Sequence, residues 1–503
     1  MQPDISEDRP ETWETRRERF IVGGLCLFAA IHVFIFCAAF PFFTNVDEAA
    51  QLGTLLKFAH GEVPRSFDAF SGETVRCQAL YSSPFYLGGA TYRSGANVQP
   101  WRLPPAQRDE WIAANASRYG GTNYQNSQPP IYYAVVSTAW KAGGAMGVDD
   151  GRRLYWMRFV NVPFVVVAVW LGWWAARLVF PASSFHRLAV PALLAFMPQS
   201  AFYSLESDTF SPVFFGLAFV LLLRLSAAET PSVWLGAAAG LALAGAFLVK
   251  MTNVPPLMVA AGFFLSWVWR LWRTGELGRW FTTVAALGLC ALVPAATWSI
   301  WCKQTFGDFT GTRIKAEFWT WAPKPLADWW PHPIFTLPGA KKFLALFLSE
   351  FWQGEFTWHV QPMALRLPSW IYEITTVALL AVVLVALLRR PALLTELQRR
   401  ALWFGFFAFT SCAAFLAYVS ISYNFNHCPI PNPEFPYLTI GRQALGALIP
   451  FMLVFVTGLN TVMFRATPRT KFLVLGIILA AMLGAEIVTD RRAFGDPYNW
   501  FYL

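Results

Sequence analysis

Long apolar runs, each ended by charge, proline or a polar cluster, set the pattern of this chain. They fall near 20–43, 158–180, 187–205, 209–227, 232–250, 254–272, 280–301, 369–388, 401–421, 443–464 and 471–489. Each is close to the about 20 residues a helix needs to cross a hydrocarbon core. Backbone in such a core must satisfy its own hydrogen bonds, so runs of this length are helices. The pattern predicts an all-α polytopic membrane protein with about 11 transmembrane helices. A further stretch, "PPIYYAVVSTAWKAGGAMG" from Pro129, is shorter, carries Lys141 and is rich in glycine towards its end. Counting it as a span would invert everything after it. Leaving it out puts Arg187, Arg224, Arg270, Arg273, Arg279, Arg389, Arg390, Arg399, Arg400, Arg465, Arg469 and Lys471 on the side of the basic N-terminus, as the positive-inside rule asks. It is therefore expected to lie as an amphipathic helix on the outer surface.

Composition agrees with this picture. The 503 residues are 56% hydrophobic and 14% charged, with 24 Trp and 46 Phe, outside the range of ordinary soluble domains. The net charge of +9 sits in short gaps between apolar runs, so it reports topology and argues against nucleic acid as a partner. Arg16, Arg17 and Arg19 precede the first run and no Ala-x-Ala site follows it, so that run is expected to stay as a helix. The expected organisation is a cytoplasmic segment 1–19 and an N-terminal transmembrane module 20–301 that includes a periplasmic loop 44–157. A second periplasmic loop 302–368, C-terminal helices 369–489 with a loop 422–442, and a periplasmic tail 490–503 follow. The six His show no HxxH or HExxH spacing and the seven Cys no CxxC, so no zinc site is indicated. Cys77, Cys302 and Cys428 all fall on the outer side, where a disulfide is possible and its pairing open.

Candidate chemistry gathers on that outer side. In "FPFFTNVDEAAQLG" Asp47 and Glu48 stand where the first apolar run ends. Asn45 followed by Glu48 is a capping-box pattern, and acids in a first turn suit the helix dipole. A helix opening at the membrane edge also points its carboxylates into the mouth of a bundle, where ionisable groups are costly unless they serve a site. "PQSAFYSLESDTFSP" adds Glu206 and Asp208, "AFLVKMTNVPP" adds Lys250, "LTIGRQALGALIP" adds Arg442, and "DGRRLYWMRFVN" adds Arg158. For Lys250 the plainer alternative is snorkelling to headgroups, and for Arg158 and Arg442 it is an ion pair with an acid such as Asp208. The second loop carries Trp319, Trp321, Trp329, Trp330, Trp352 and Trp358, either an interfacial belt or a carbohydrate-stacking surface. Together the groups fit an outward cavity for an anionic, lipid-linked substrate: a carboxylate as general base, cations for charge on a phosphate leaving group.

The order of these motifs resembles the GT-C glycosyltransferase superfamily, in particular a bacterial branch of polytopic membrane proteins. The quoted matches are "NVDEAAQLGTLLKFAHGEVP", "SQPPIYY", "MRFVN", "MPQSAFYSLESD", "VKMTN", "EFWQGEFTWHVQPMALRLP" and "IGRQALGALIP", spanning about residues 41 to 450. The resemblance implies a GT-C-like bundle with juxtamembrane helices in a large first periplasmic loop, and a polyprenyl-phosphate-linked sugar as donor. It implies Asp47 as catalytic base with Glu48 beside it, and Glu206, Asp208, Lys250, Arg158, Arg442, Gln128, Tyr132, Trp352 and Trp358 in substrate binding. Where the family often has His, this chain has Gln51 and Gln128. A divalent ion, Mg2+ or Mn2+, shared by Asp47 and Asp208 is a further expectation.

The expected protein is a glycosyltransferase of the bacterial inner membrane, N-terminus cytoplasmic and active site facing the periplasm. It would move sugar to a hydroxyl of a glycan or glycolipid acceptor. The alternatives are a transporter or flippase of an anionic or lipid-linked substrate, a glycan polymerase or ligase, and a catalytically inactive GT-C-like scaffold. Few acids or bases at mid-depth of the spans speak against a coupled transporter. The large loop coming early in the chain speaks against a polymerase.

Overall fold

The structure, a computed structural model, describes residues 13–44, 47–83, 99–355, 357–358, 361–362, 364–389, 391–426 and 431–503. It is an all-α polytopic membrane protein. Among the described residues nine helices are long and apolar enough to cross a membrane, from Arg16–Ala39 to Pro468–Phe494. The two remaining apolar runs are helical but shorter than their hydropathy suggests. Ser184–Ala195 stops at 12 residues because the chain meets Pro198, after which Ser200–Tyr203 and Ser207–Phe210 form tight 3-10 turns.

Val233–Val249 has only 17 residues, yet it runs beside Leu277–Phe306 in close contact. A Cβ added to Gly236 would lie 2.4 Å from the Thr283 carbonyl oxygen, and one added to Gly240 would lie 2.4 Å from that of Leu287. Four residues on one helix match four on the other in the same direction, so the two are parallel. The intervening Val254–Arg273 must then return across the bundle, which makes Val233–Val249 a crossing helix despite its length. Gly240→Leu is expected to cost about 1–3 kcal/mol, because a backbone carbonyl cannot move aside as a side chain can. Thermal unfolding in detergent measures it, and an unchanged midpoint would rule out this close approach.

A layer of short helices covers one end of the bundle: Glu48–Ala59, Gly72–Tyr81, Pro105–Tyr119, Pro130–Ala145 and Asp150–Phe159. Leu52, Leu55, Leu56 and Ala59 form the buried face that their spacing predicts, packed with Cys77, Leu80, Tyr133, Val136, Trp140 and Leu154. Pro130–Ala145 is not among the spans, and its buried face lies against Glu48–Ala59 and Asp150–Phe159. The C-terminal tail meets the same layer: Ser83 donates to Asp496 at 2.7 Å, and Tyr155 to the Tyr498 carbonyl at 3.1 Å. Strand Trp321–Pro323 pairs antiparallel with Tyr423–Phe425, joining the segments 302–368 and 422–442. Cys77 and Cys302 are free thiols, so neither forms a disulfide; Cys428 lies outside the described residues.

The ionisable groups within the spans include one buried pair. His32 Nε2 lies 2.9 Å from Glu486 inside the bundle, between the first and last crossing helices, and Tyr203 donates to the same carboxylate. Single polar residues inside apolar runs left no periodic signal.

Candidate active site

Asp47 and Glu48 are neighbours that face different surroundings, and the backbone explains why. Asp47 is the residue before the helix Glu48–Ala59 and adopts a left-handed conformation, φ 67°, uncommon for a non-glycine residue and often found at functional sites. Its side chain does not cap the helix. Asn45, expected as the cap, lies outside the described residues, and so does the expected Asn45–Glu48 capping box. Glu48 Oε1 accepts from Arg158 Nε at 2.8 Å and from the Leu205 amide at 3.0 Å; its Oε2 accepts from Arg158 Nη2 at 2.7 Å and from the Phe43 amide at 2.8 Å. Arg158 also donates to the carbonyls of Phe40 and Pro41, and its guanidinium lies over the Phe42 ring. Both side chains are almost wholly buried, 0% and 1% exposed. Glu48 and Arg158 thus pin the end of the first helix to the start of the next span, and neither offers a free atom to a substrate.

Asp47 faces the other way. Its Oδ2 accepts from Arg442 Nη2 at 2.7 Å and its Oδ1 from the Tyr124 hydroxyl at 2.6 Å, and the side chain keeps 19% exposure. Arg442 is the hub. Its Nε lies 3.3 Å from Asp208 and 3.9 Å from Glu206, and its Nη1 pairs with Glu355. Lys250 is ion-paired with Asp208 and is buried, which is not the snorkelling alternative. Arg442 reaches this place on the turn Gly441–Ala447 at the start of the helix Leu448–Val462. Gly441 must be glycine there, since a Cβ would lie 2.3 Å from both the Phe347 carbonyl oxygen and the Phe351 amide nitrogen. Glu350 fastens the turn by accepting from the Gly441 amide at 3.1 Å and the Thr439 hydroxyl at 2.9 Å.

Sequence reasoning missed four members of the cluster: Tyr124, Lys315, Glu355 and Glu350. Lys315, on the short helix Thr312–Phe318, donates to Gln125 Oε1 at 3.3 Å and lies 5.5 Å from the Tyr124 ring centroid. Only its docking against the segment 44–157 brings it near Asp47. Gln51, which stands where the family pattern has His, accepts from the Tyr133 hydroxyl at 2.5 Å and donates to Glu206 Oε2 at 3.2 Å. Trp352 is core: it stacks on Tyr372 and donates its indole N–H to Thr376 at 2.9 Å. Tyr132 is fully buried against Tyr133 and Phe210, and among the described residues neither its hydroxyl nor the buried Gln128 side-chain oxygen has a hydrogen-bond partner. Trp358 falls on the short strand Thr357–Trp358, its side chain outside the described set.

Electrostatics follow from the geometry. Burial works to raise the Asp47 carboxyl, but Arg442, Lys315, the Tyr124 hydroxyl and Lys250 outweigh it and hold it below its ordinary value. Burial pushes Glu206 up to about 8 against the pull of Arg442 and Lys250. Burial pushes Lys315 down to about 8 although Asp47 favours its charged form. Near pH 7 the site therefore holds an ionised Asp47, a protonated Glu206 and a charged Lys315. The pair expected to share a divalent ion does not fit one in this arrangement, because the Arg442 guanidinium lies against both Asp47 and Asp208. Among the described residues no three His, Cys, Asp or Glu gather as a metal ligand set.

The family described as "Predicted membrane protein (DUF2142)" matches residues 28–426. The chain is similar to the crystal structure of ArnT from Cupriavidus metallidurans bound to undecaprenyl phosphate, with 14% identity and a TM-score of 0.46 over 93% of this chain. It spans 65% of the length of that chain. No curated protein matches.

Proposed function

The chain belongs to the DUF2142 family of predicted membrane proteins, and we propose that its Arg442 cluster is the active site of a glycosyltransferase. The reaction would move a sugar from a polyprenyl-phosphate-linked donor to a hydroxyl of a cell-envelope glycan or glycolipid. Its place would be the bacterial inner membrane, with the N-terminus cytoplasmic and the site facing the periplasm, as the distribution of Lys and Arg supports. The observation that carries this reading is that Asp47, Glu206, Asp208, Lys250 and Arg442, from distant parts of the chain, meet at one end of a membrane bundle.

The acceptor oxygen would attack the anomeric carbon while the bond from that carbon to the phosphate oxygen breaks. The bonding electron pair leaves with the lipid phosphate, and the hydroxyl proton passes to Asp47. Arg442 and Lys250 would stabilise the charge developing on the phosphate. Their present partners are carboxylates, so an incoming phosphate competes for them. Drawing Arg442 towards the phosphate removes the strongest cation holding Asp47 ionised, and the proton affinity of Asp47 rises when a base is needed. Incubating the purified protein with a radiolabelled polyprenyl-phosphate sugar and an envelope glycolipid extract tests the reading. Label should move to the acceptor; release of free sugar alone, or no reaction with any donor, would count against it.

A pH dependence follows. As pH rises through about 8, Lys315 loses a proton and becomes neutral, while Glu206 loses a proton and becomes anionic. Both changes make the site more negative and oppose an anionic donor. KM for the donor is expected to rise roughly tenfold between about pH 7 and 9. Lys315→Arg keeps its charge across that range and should flatten part of the rise. A flat KM in wild type, or an unaltered profile in the variant, would refute this assignment.

A second reading, transport of a lipid-linked or anionic substrate, draws on the His32–Glu486 pair, since ionisable residues inside a bundle often mark a pathway. Uptake by proteoliposomes without chemical change of the substrate would favour it.

A further inference from the structure

The end of the bundle opposite Arg442 holds a second chemical feature. A groove of about 670 Å³ opens between the helices Met251–Arg273 and Glu396–Ser422. Phe263, Trp403 and Phe407 are among its apolar walls, and Arg270, Arg399 and Arg400 stand at its outer rim. On one side the lining runs from Arg270 back to Val259, and on the other from Arg399 on to Ala414. At 1.5 Å per residue these stretches are about 16 and 22 Å long, somewhat more than half of a hydrocarbon core of about 30 Å. The groove is therefore about one leaflet deep.

Charge at the rim is unbalanced. Glu396 is the acid paired with both Arg399 and Arg400, at 2.7 Å to the latter. Arg270 donates to the Ser226 carbonyl at 3.3 Å and has no acid as partner among the described contacts. Three cations against one carboxylate leave a net charge of +2 where an apolar, leaflet-deep groove meets the membrane surface. These arginines lie in the gaps that the positive-inside rule assigns to the cytoplasm.

We propose that this groove binds one anionic phospholipid of the cytoplasmic leaflet, its phosphate against Arg270, Arg399 and Arg400 and an acyl chain along Phe263, Trp403 and Phe407. The site is separate from the Arg442 cluster and does not depend on how that cluster is read. A neutral lipid would fill the groove but leave the rim uncompensated. A soluble anion would meet the rim but leave the apolar walls empty.

Native mass spectrometry of the purified full chain in detergent tests this, with dioleoylphosphatidylglycerol and dioleoylphosphatidylcholine as probes. At about 1 kcal/mol per basic residue near an anionic lipid, a net charge of +2 gives an expected preference of roughly 10- to 30-fold for the phosphatidylglycerol. The variant Arg270→Gln/Arg399→Gln/Arg400→Gln should lose the preference and still bind either lipid weakly. Glu396→Gln removes the neutralising carboxylate and should strengthen the preference, which keeps the test open if the triple variant fails to fold. Equal binding of both lipids by wild type, or an unchanged preference in Glu396→Gln, would overturn the proposal. Displacement of the lipid by millimolar glycerol 3-phosphate would also overturn it, pointing to a soluble anion.

Discussion

Asp47→Asn is expected to reduce sugar transfer by roughly 10²- to 10⁴-fold, the usual contribution of a positioned general base, with little change in stability. The size of the effect follows from what the substitution keeps. Asparagine tolerates the left-handed backbone that Asp47 adopts at φ 67°. Its amide oxygen can still accept from Tyr124 or Arg442, so the loop should hold its shape. What is lost is the negative charge and the ability to take a proton. Measured at saturating donor, the loss should fall on kcat. Glu206→Gln provides the contrast: Glu206 already carries a proton near pH 7, so its amide counterpart should leave the rate little changed there. Full activity in Asp47→Asn would sink the assignment of the base.

The second large effect concerns stability. Arg158→Met is expected to cost about 3–5 kcal/mol, because it strands the Glu48 carboxylate without its cation at a site with no exposure. The double variant Glu48→Gln/Arg158→Met carries no unpaired charge and should regain at least half of that loss. The amide oxygen that replaces the carboxylate could still accept one of the two backbone amides, from Phe43 or Leu205, that Glu48 holds. Thermal unfolding of the single and double variants in detergent supplies the comparison. Equal destabilisation in both would mean that shape at this position matters more than charge compensation.

Much of this architecture was legible in the sequence because apolar length is a strong signal. All of the expected apolar runs are helical, and the basic residues mark one end of the bundle. Asp208, Lys250 and Arg442 stood out as charges at helix ends, where apolar surroundings make a lone charge conspicuous. Asp47 and Glu48 were harder to separate, since adjacent acids look alike in sequence. A single backbone angle turns one towards Arg442 and the other towards Arg158. Arg158 was expected near a phosphate, but its donors are taken up by Glu48 and backbone carbonyls. Trp352 was misplaced although a signal existed: Phe343, Phe347, Phe351 and Trp352 follow the spacing of one buried helix face. Lys315 and Tyr124 gave no such signal, because their proximity depends on two outer segments docking together.

The position of Arg442 along the chain bears on biosynthesis. Asp47, Glu206, Asp208 and Lys250 are all made before it, and they enter the membrane while their central cation is still unsynthesised. Chains that insert from the N-terminus thus pass through a stage in which buried carboxylates have only Lys250 and Lys315 for company. The cluster closes when Arg442, on the turn Gly441–Ala447, and the helix Leu448–Val462 arrive. A nascent chain stalled before that turn would carry Asp47, Glu206 and Asp208 with Lys250 and Lys315 as their cations, lacking the guanidinium that bridges all three acids in the finished site.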